Sequence, residues 1–164
     1  MIRCTIVGVV VTFLLAVFQA TLGMRMALGG VAPDLLFIWS VSAGLIAGPQ
    51  TGALTGFGSG ILEGALRQTL IAGLAIGKGF SGFAAGIFAS KMFRENWIVS
   101  ALSAALLTLI NESASLLFAG TGDWGEVPRL VGGRMLYHAA LTPIAVAIMI
   151  RARKALIGNH EGIG

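Results

Sequence analysis

Apolar residues in this chain fall into six runs, separated by short polar or glycine- and proline-containing breaks. The runs cover about 4–22, 33–47, 50–67, 73–93, 97–119 and 130–150. This pattern predicts six helices and no separate soluble unit. The first run follows Arg3, which gives it the basic start of a signal peptide. It is too long for a typical signal core, and Phe18-Gln19-Ala20 is a poor cleavage site, so it is expected to be a retained span. Pro33 opens the second run, where its missing N–H costs nothing. Asp34 sits in the first turn, where the helix dipole favours a carboxylate. That run is short for a hydrocarbon core of about 30 Å, so it is expected to start earlier, tilt or sit in thinned bilayer. Gly48-Pro49-Gln50 is an uncharged break. A polar turn over 67–72, a charged loop at Lys91, Arg94 and Glu95, and a longer polar loop over 120–129 separate the later runs. Residues 155–164 are expected to form a short flexible tail.

Glycine marks the first half of the chain. Gly44, Gly48, Gly52, Gly56, Gly60 and Gly64 recur every fourth residue, which puts neighbours near one helix face. Glycine is roughly 1 kcal/mol worse than alanine in a helix, so four on one helix need a reason. Inside a membrane, small residues at this spacing let helix backbones approach closely. The ladder crosses the break at Pro49. Gly52, Gly56, Gly60 and Gly64 are therefore read as one packing face, with Gly44 and Gly48 sharing the register by coincidence. Gly82 and Gly86, followed by Ser90, form a second small-residue face.

Composition agrees with a membrane protein. The chain is 56% hydrophobic and only 11% charged, against roughly 25% charged in soluble domains, and its mean hydropathy is +0.89. Cys4 is the single cysteine among 164 residues, so no internal disulfide forms and no thiol cluster can bind a metal. The net charge of +4 suits basic cytoplasmic ends rather than a nucleic-acid surface, because the basic residues do not interleave with aromatics.

Six spans put both termini on one side. That side carries Arg3, Lys91, Arg94, Arg151, Arg153 and Lys154; the opposite loops carry Arg25, Arg67 and Arg129. The positive-inside rule then places both termini in the cytoplasm. At about 1.5 Å per residue, the charges inside the runs fall at one depth, the outer third of the bilayer. They are Asp34, Glu63, Arg67, Lys78, Glu112, Arg134 and His138, with Gln19 at the same level. Three acids face three bases. Glu63 and Arg67 stand at i, i+4 in the favourable order, and Arg134 and His138 share the same spacing. Glu112 is the natural partner for Arg134. Charges in spans are costly and face a partner or a cavity. This layer is expected to hold the helix ends together, to form a docking or solute site, or to do both.

Several other signals are weak. Gly73-Leu-Ala-Ile-Gly77-Lys78-Gly79 has three residues between its first glycines, lacks a following Ser or Thr, and lies in an apolar run, unlike a phosphate loop. His138 and His160 have no second ligand at metal spacing, which favours a structural histidine. No Ser-His-Asp or Cys-His arrangement is readable. Glu63 with Glu112 could be imagined as an acid/base pair, but little polar motif surrounds them. Trp39, Trp97 and Trp124 fit span ends only partly, Trp97 best. No cofactor, metal or catalytic group is expected.

Pro33-Asp34-Leu35-Leu36, the Gly-xxx-Gly helix ending Gly60-Ile-Leu-Glu63, Gly77-Lys78 and Gly82-Phe-Ala-Ala-Gly86 together resemble the MreD family of rod shape-determining proteins. The resemblance covers about 30–95; beyond that it is one of hydropathy, length and a basic end. Where the family commonly has Asp near the end of the third helix, this chain has Glu63, and it adds Arg67. The resemblance implies a non-catalytic, multi-pass subunit of the bacterial inner membrane. Its implied partner is a single-span MreC-like protein, and through it the elongation glycosyltransferase RodA, its transpeptidase and the actin-like MreB. In that setting the layer from Asp34 to Arg134 would meet the partner's exported segment, and the glycine faces would pack within the bundle or against the partner. A homodimer is left open. MreD-like proteins also look like the substrate-binding subunits of energy-coupling-factor vitamin transporters, which makes such a subunit the alternative. Ala16 and Ala20 are a small-residue pair of the kind those subunits use against their transmembrane partner.

Overall fold

The computed structural model describes residues 2–69, 71–91, 97–119 and 125–158. The features expected at Arg94, Glu95, Trp124, His160 and the last six residues of the tail lie outside the described residues. Six α-helices account for nearly all of the rest: α1 (Ile2–Leu22), α2 (Leu35–Ala47), α3 (Pro49–Arg67), α4 (Ile71–Lys91), α5 (Trp97–Ala119) and α6 (Val127–Gly158). A single 3-10 turn over Gly23–Met26 follows α1. The α1–α2 connection is closed by an isolated pair of backbone hydrogen bonds between Leu28 and Val31, each 3.1 Å.

Three helices contain stretches long and apolar enough to cross a membrane: Ile71–Ala89, Trp97–Phe118 and Val127–Ala155. Ile6–Leu22 and Leu35–Ala47 are shorter apolar helices. The distribution of side chains points the same way. Exposed positions include Val9, Phe13, Leu14, Leu54, Phe80, Leu102, Leu117 and Leu136, whereas Lys78, His138, Asn111, Thr108 and Thr142 are among the largest fully buried side chains. A domain folded in water excludes groups of that kind from its interior and limits its apolar patches. Polar residues inside and apolar residues outside suit a chain solvated by lipid.

The shortest helix is the central one. α2 packs against α1, α3, α4, α5 and α6, and its length is matched to protein rather than to bilayer. Phe37, Ile38, Val41 and Leu45 form the core with Ala85 and Ala89 of α4, Leu107 of α5 and Val146 of α6. Asp34 caps α2, its side chain accepting from the Phe37 N–H at 2.9 Å. Gly48 ends α2 and precedes α3 with φ 97° and ψ 174°. That conformation is essentially restricted to glycine, so Gly48 is a turn residue rather than a rung of the ladder.

α3 and α4 are the most intimately packed pair, and the ladder is the reason. A Cβ placed on Gly52 would lie 2.2 Å from the Gly82 carbonyl oxygen, and one on Gly56 the same distance from that of Lys78. On Gly60 it would lie 2.4 Å from the Leu74 carbonyl, on Gly64 2.8 Å from the Ile71 Cα, and on Gly86 2.3 Å from the Pro49 nitrogen. The two helices run antiparallel, backbone on backbone. The face is used up inside the chain, so Gly52 to Gly64 have no room for a partner's helix. Gly44 is not a coincidental member. Its Cβ would meet the Gly82 carbonyl at 2.2 Å, and that of Gly52 would meet the Gly44 Cα at 2.6 Å. Thus α2, α3 and α4 cross at one point, made of three glycines.

The helix ends differ from expectation in two places. α6 begins at Val127 and continues to Gly158 with Pro143 inside it, so part of the expected tail is helix. Its basic end stays ordered because Arg153 Nη1 donates to the Ile46 carbonyl at the end of α2, 3.3 Å away. α4 begins at Ile71, which shortens the expected polar turn. Gln68 closes α3 in the left-handed region, φ 53°.

Candidate functional site: an ion-paired layer at one end of the bundle

The alternation of helix direction brings the C-terminal ends of α1, α3 and α5 beside the N-terminal ends of α2, α4 and α6. Every charged residue singled out within the apolar runs lies at this end. The layer has two linked parts.

The first surrounds Lys78, two turns into α4 and fully buried. Its ammonium contacts Asp34 Oδ2 directly and stands 2.9 Å from Glu63 Oε2. The Glu63 contact is electrostatic rather than an aligned hydrogen bond. Glu63 Oε1 also faces Arg67 Nη1 at 3.1 Å, the expected i, i+4 pair. Gln19 of α1 ties the two acids together, its Nε2 donating to Asp34 Oδ1 at 3.1 Å and to Glu63 Oε1 at 3.0 Å. Its Oε1 accepts from the Leu36 N–H at 3.1 Å, which satisfies a donor at the start of α2. Four helices are thereby fastened through one ammonium and one amide.

His138 supports this cluster from below. The Asp34 N–H donates to Nε2 at 3.1 Å, so that nitrogen carries no proton. Thr108 Oγ1 lies 2.8 Å from Nδ1 and donates its own proton to the Ala104 carbonyl at 2.6 Å. The chain of donors then runs from Nδ1–H to Thr108 to Ala104, which makes the imidazole neutral. Its ring stacks on Phe37 with centroids 4.6 Å apart. The histidine therefore sets the position of the Asp34 backbone, and it is held from α2, α5 and α6 at once.

The second part joins α5 to α6. Arg134 Nη1 donates to Glu112 Oε2 at 2.7 Å, the pair expected from the sequence. Asn111 Nδ2 reaches Glu112 Oε1 at 3.3 Å. Two buried atoms here have no hydrogen-bond partner: Asn111 Oδ1, an acceptor, and Arg134 Nε, a donor.

Between the two parts lies a cavity of about 220 Å³. Its lining includes Gln19, Asp34, Glu63, Arg67, Glu112 and Arg134, so it is bounded by the same layer. Lys78 lies beneath it. The bundle is not packed solid at this level. Glu63 and Glu112 both border the cavity, but each carboxylate is already paired with a guanidinium. Among the described residues no group of three His, Cys, Asp or Glu side chains could hold a metal ion. The Gly77-Lys78-Gly79 segment is interior helix rather than a loop, so its N–H groups are committed to the helix and not free to cradle phosphate.

All seven charged candidates are brought to one end. Arg134 and His138 do not act together: one pairs with Glu112, the other turns inward to α2. The Trp39 indole N–H donates to Thr12 on α1 at 3.0 Å. Thr108 was not apparent from sequence, because a lone threonine in an apolar run carries no spacing signal. Gln19 was placed at the right depth but not recognised as the link between two acids 44 and 15 residues away. No family model, curated protein or solved structure matches the chain.

Proposed function

We propose that this chain is a multi-pass, non-catalytic scaffold subunit of the MreD type. It would lie in the bacterial inner membrane with six spans and both termini cytoplasmic. It would hold a single-span MreC-like partner and through it support lateral peptidoglycan synthesis. The observation that carries this reading is the ion-paired layer. It brings six helices together at one end of a bundle that exposes many large apolar side chains. Lys78, Asp34 and Glu63 are buried and make the layer rigid; Arg67 and Arg134 reach its surface, with side chains 40% and 34% exposed. The buried charges would set the shape of that end, and the two arginines would meet the partner's exported segment. Co-purification tests it. Arg67→Lys, which keeps a positive charge beside Glu63 but loses the planar fork, is expected to reduce recovery of the MreC-like partner several-fold while leaving the melting temperature of the isolated subunit nearly unchanged. Undiminished recovery would overturn the assignment of this face.

The cavity supports a second reading, a solute-binding subunit of an energy-coupling-factor-type transporter. Native mass spectrometry of the purified chain would favour it by detecting a retained small molecule of defined mass.

A further inference from the structure

We propose that one face of the C-terminal part of α6, at the membrane edge opposite the ion-paired layer, is a docking site for an anionic phospholipid. Arg151 and Lys154 hold its headgroup, and Ile144 and Ile148 meet its acyl chains. The proposal rests on the chain spanning a bilayer and on neither reading of its assembly.

The cationic end is ordered helix. α6 has 32 residues. At about 1.5 Å per residue it is about 48 Å long, against about 30 Å for a hydrocarbon core, so its last turns reach a headgroup region. Helical spacing sorts the side chains there. At about 100° per residue, Ile144, Ile148, Arg151 and Lys154 fall within an arc of about 120°. Arg153 lies on the other side of the helix, and it is the one that donates to the Ile46 carbonyl at the end of α2. Val146 falls on the same inward side and is buried. The outer arc is free of protein: Ile144 is 57% and Ile148 59% exposed, and Arg151 and Lys154 are exposed too. Neither of these two cations takes part in an ion pair among the described residues.

Two features choose the occupant. The first is the sign of the charge. The acids among the described residues are Asp34, Glu63, Glu112 and Glu126, and all four lie at the opposite end of the bundle. The described part of the protein therefore leaves the positive field at this end uncompensated, and basic residues at a membrane surface attract anionic headgroups. The second is the order along the helix, two branched apolar side chains and then two cations on one continuous stripe. A phospholipid has the same order, acyl chains and then a phosphate. An acidic soluble segment would meet the cations alone and leave Ile144 and Ile148 unused. Long basic side chains also lie along apolar surface with their charged tips at the interface. Because Arg153 already fastens this end to α2, the stripe is in place before a lipid arrives.

Native mass spectrometry of the full chain in neutral detergent tests this. Dioleoylphosphatidylglycerol and dioleoylphosphatidylcholine share acyl chains and differ in net charge. Each is titrated separately, and the dissociation constant of the first bound lipid is read. Two basic residues at the headgroup give an expected preference for the anionic lipid of roughly 30-fold, about fivefold for each. The preference should fall several-fold as ammonium acetate is raised, because salt screens exposed charges. Arg151→Gln combined with Lys154→Gln should bring it below about threefold. The melting temperature of that variant in lipid-free detergent should stay within about 1 °C of the parent, as expected of surface changes. Arg151→Lys, which keeps the charge, should retain most of the preference. Equal affinity for the two lipids would overturn the proposal. So would an unchanged preference in the double variant, which would put the headgroup elsewhere. Neither result bears on the scaffold reading, which is judged by partner recovery after substitution at the opposite end.

Discussion

Replacing Lys78 with methionine tests whether the buried ammonium organises the charged end. The substitution keeps the length and apolar stem of the side chain and removes only the charge. Lys78 is fully buried and Glu63 nearly so, and the side chain of Asp34 is 12% exposed. At an effective dielectric constant of about 20, unit charges 2.9 Å apart attract by roughly 6 kcal/mol. Desolvation of three charged groups offsets much of that, so the intact cluster adds little net stability. The balance changes when one member is removed. Glu63 retains Arg67 and Gln19, but Asp34 keeps only Gln19 and its own cap bond. A buried carboxylate stripped of its counter-ion costs about 3–5 kcal/mol.

Lys78→Met is therefore expected to lower the unfolding free energy by about that amount. Adding Asp34→Asn to it should restore more than half of the loss, because the orphaned charge disappears while the amide keeps a hydrogen-bonding cap. Asp34→Asn alone should be intermediate, since Lys78 retains Glu63. The measurement is reversible unfolding in mixed micelles for the four members of the cycle. A Lys78→Met variant within about 0.5 kcal/mol of the parent, the scatter expected of independent surface changes, would refute the reasoning. So would a double variant less stable than Lys78→Met.

Four further outcomes are expected. Gly60→Leu should destabilise the chain and, by moving α3 off α4, reduce partner recovery; even Gly56→Ala places a methyl 2.2 Å from the Lys78 carbonyl and should cost about 1–3 kcal/mol of unfolding free energy by overpacking. His138→Ala removes the acceptor for the Asp34 N–H and the ring stacked on Phe37, and should cost about 2–4 kcal/mol in the same assay. Gly48→Ala should cost about 1–3 kcal/mol purely from its positive φ, since a Cβ there meets nothing within 4 Å.

Much of the helix layout was legible because apolar runs and breaks carry it directly. The ends of α2, α3 and α5 fall within about two residues of the expected ones, each marked by a proline, a glycine or a charge. The far end of α6 was not legible: a polar, basic stretch beyond an apolar run looks the same whether it is coil or helix, and here the bond from Arg153 to α2 fastens it. The pairs Glu63–Arg67 and Glu112–Arg134 could be named in advance, one from helical spacing and one from adjacency. The contacts to Lys78 could not. They depend on which helix sits at the centre, and hydropathy carries no information on neighbour order. α2 drew notice for being short, and that shortness is the mark of a helix enclosed by protein.

The glycine ladder and the charged layer are physically one device. The Gly56 Cα lies against the backbone of Lys78 itself, and Gly60 and Gly64 carry the same close approach onward to Ile71 at the start of α4. Glu63 stands between those last two glycines, so its carboxylate is delivered at the depth where α4 places the ammonium. A looser crossing of α3 and α4, of the kind larger residues impose, would separate Glu63 Oε2 from Lys78 Nζ beyond their 2.9 Å. It would leave both charges buried and under-paired. The close backbone contact thus does more than gain dispersion energy: it makes a buried three-charge cluster tolerable. The unfavourable helix propensity of four glycines is offset at the one place where charge neutralisation depends on helix separation.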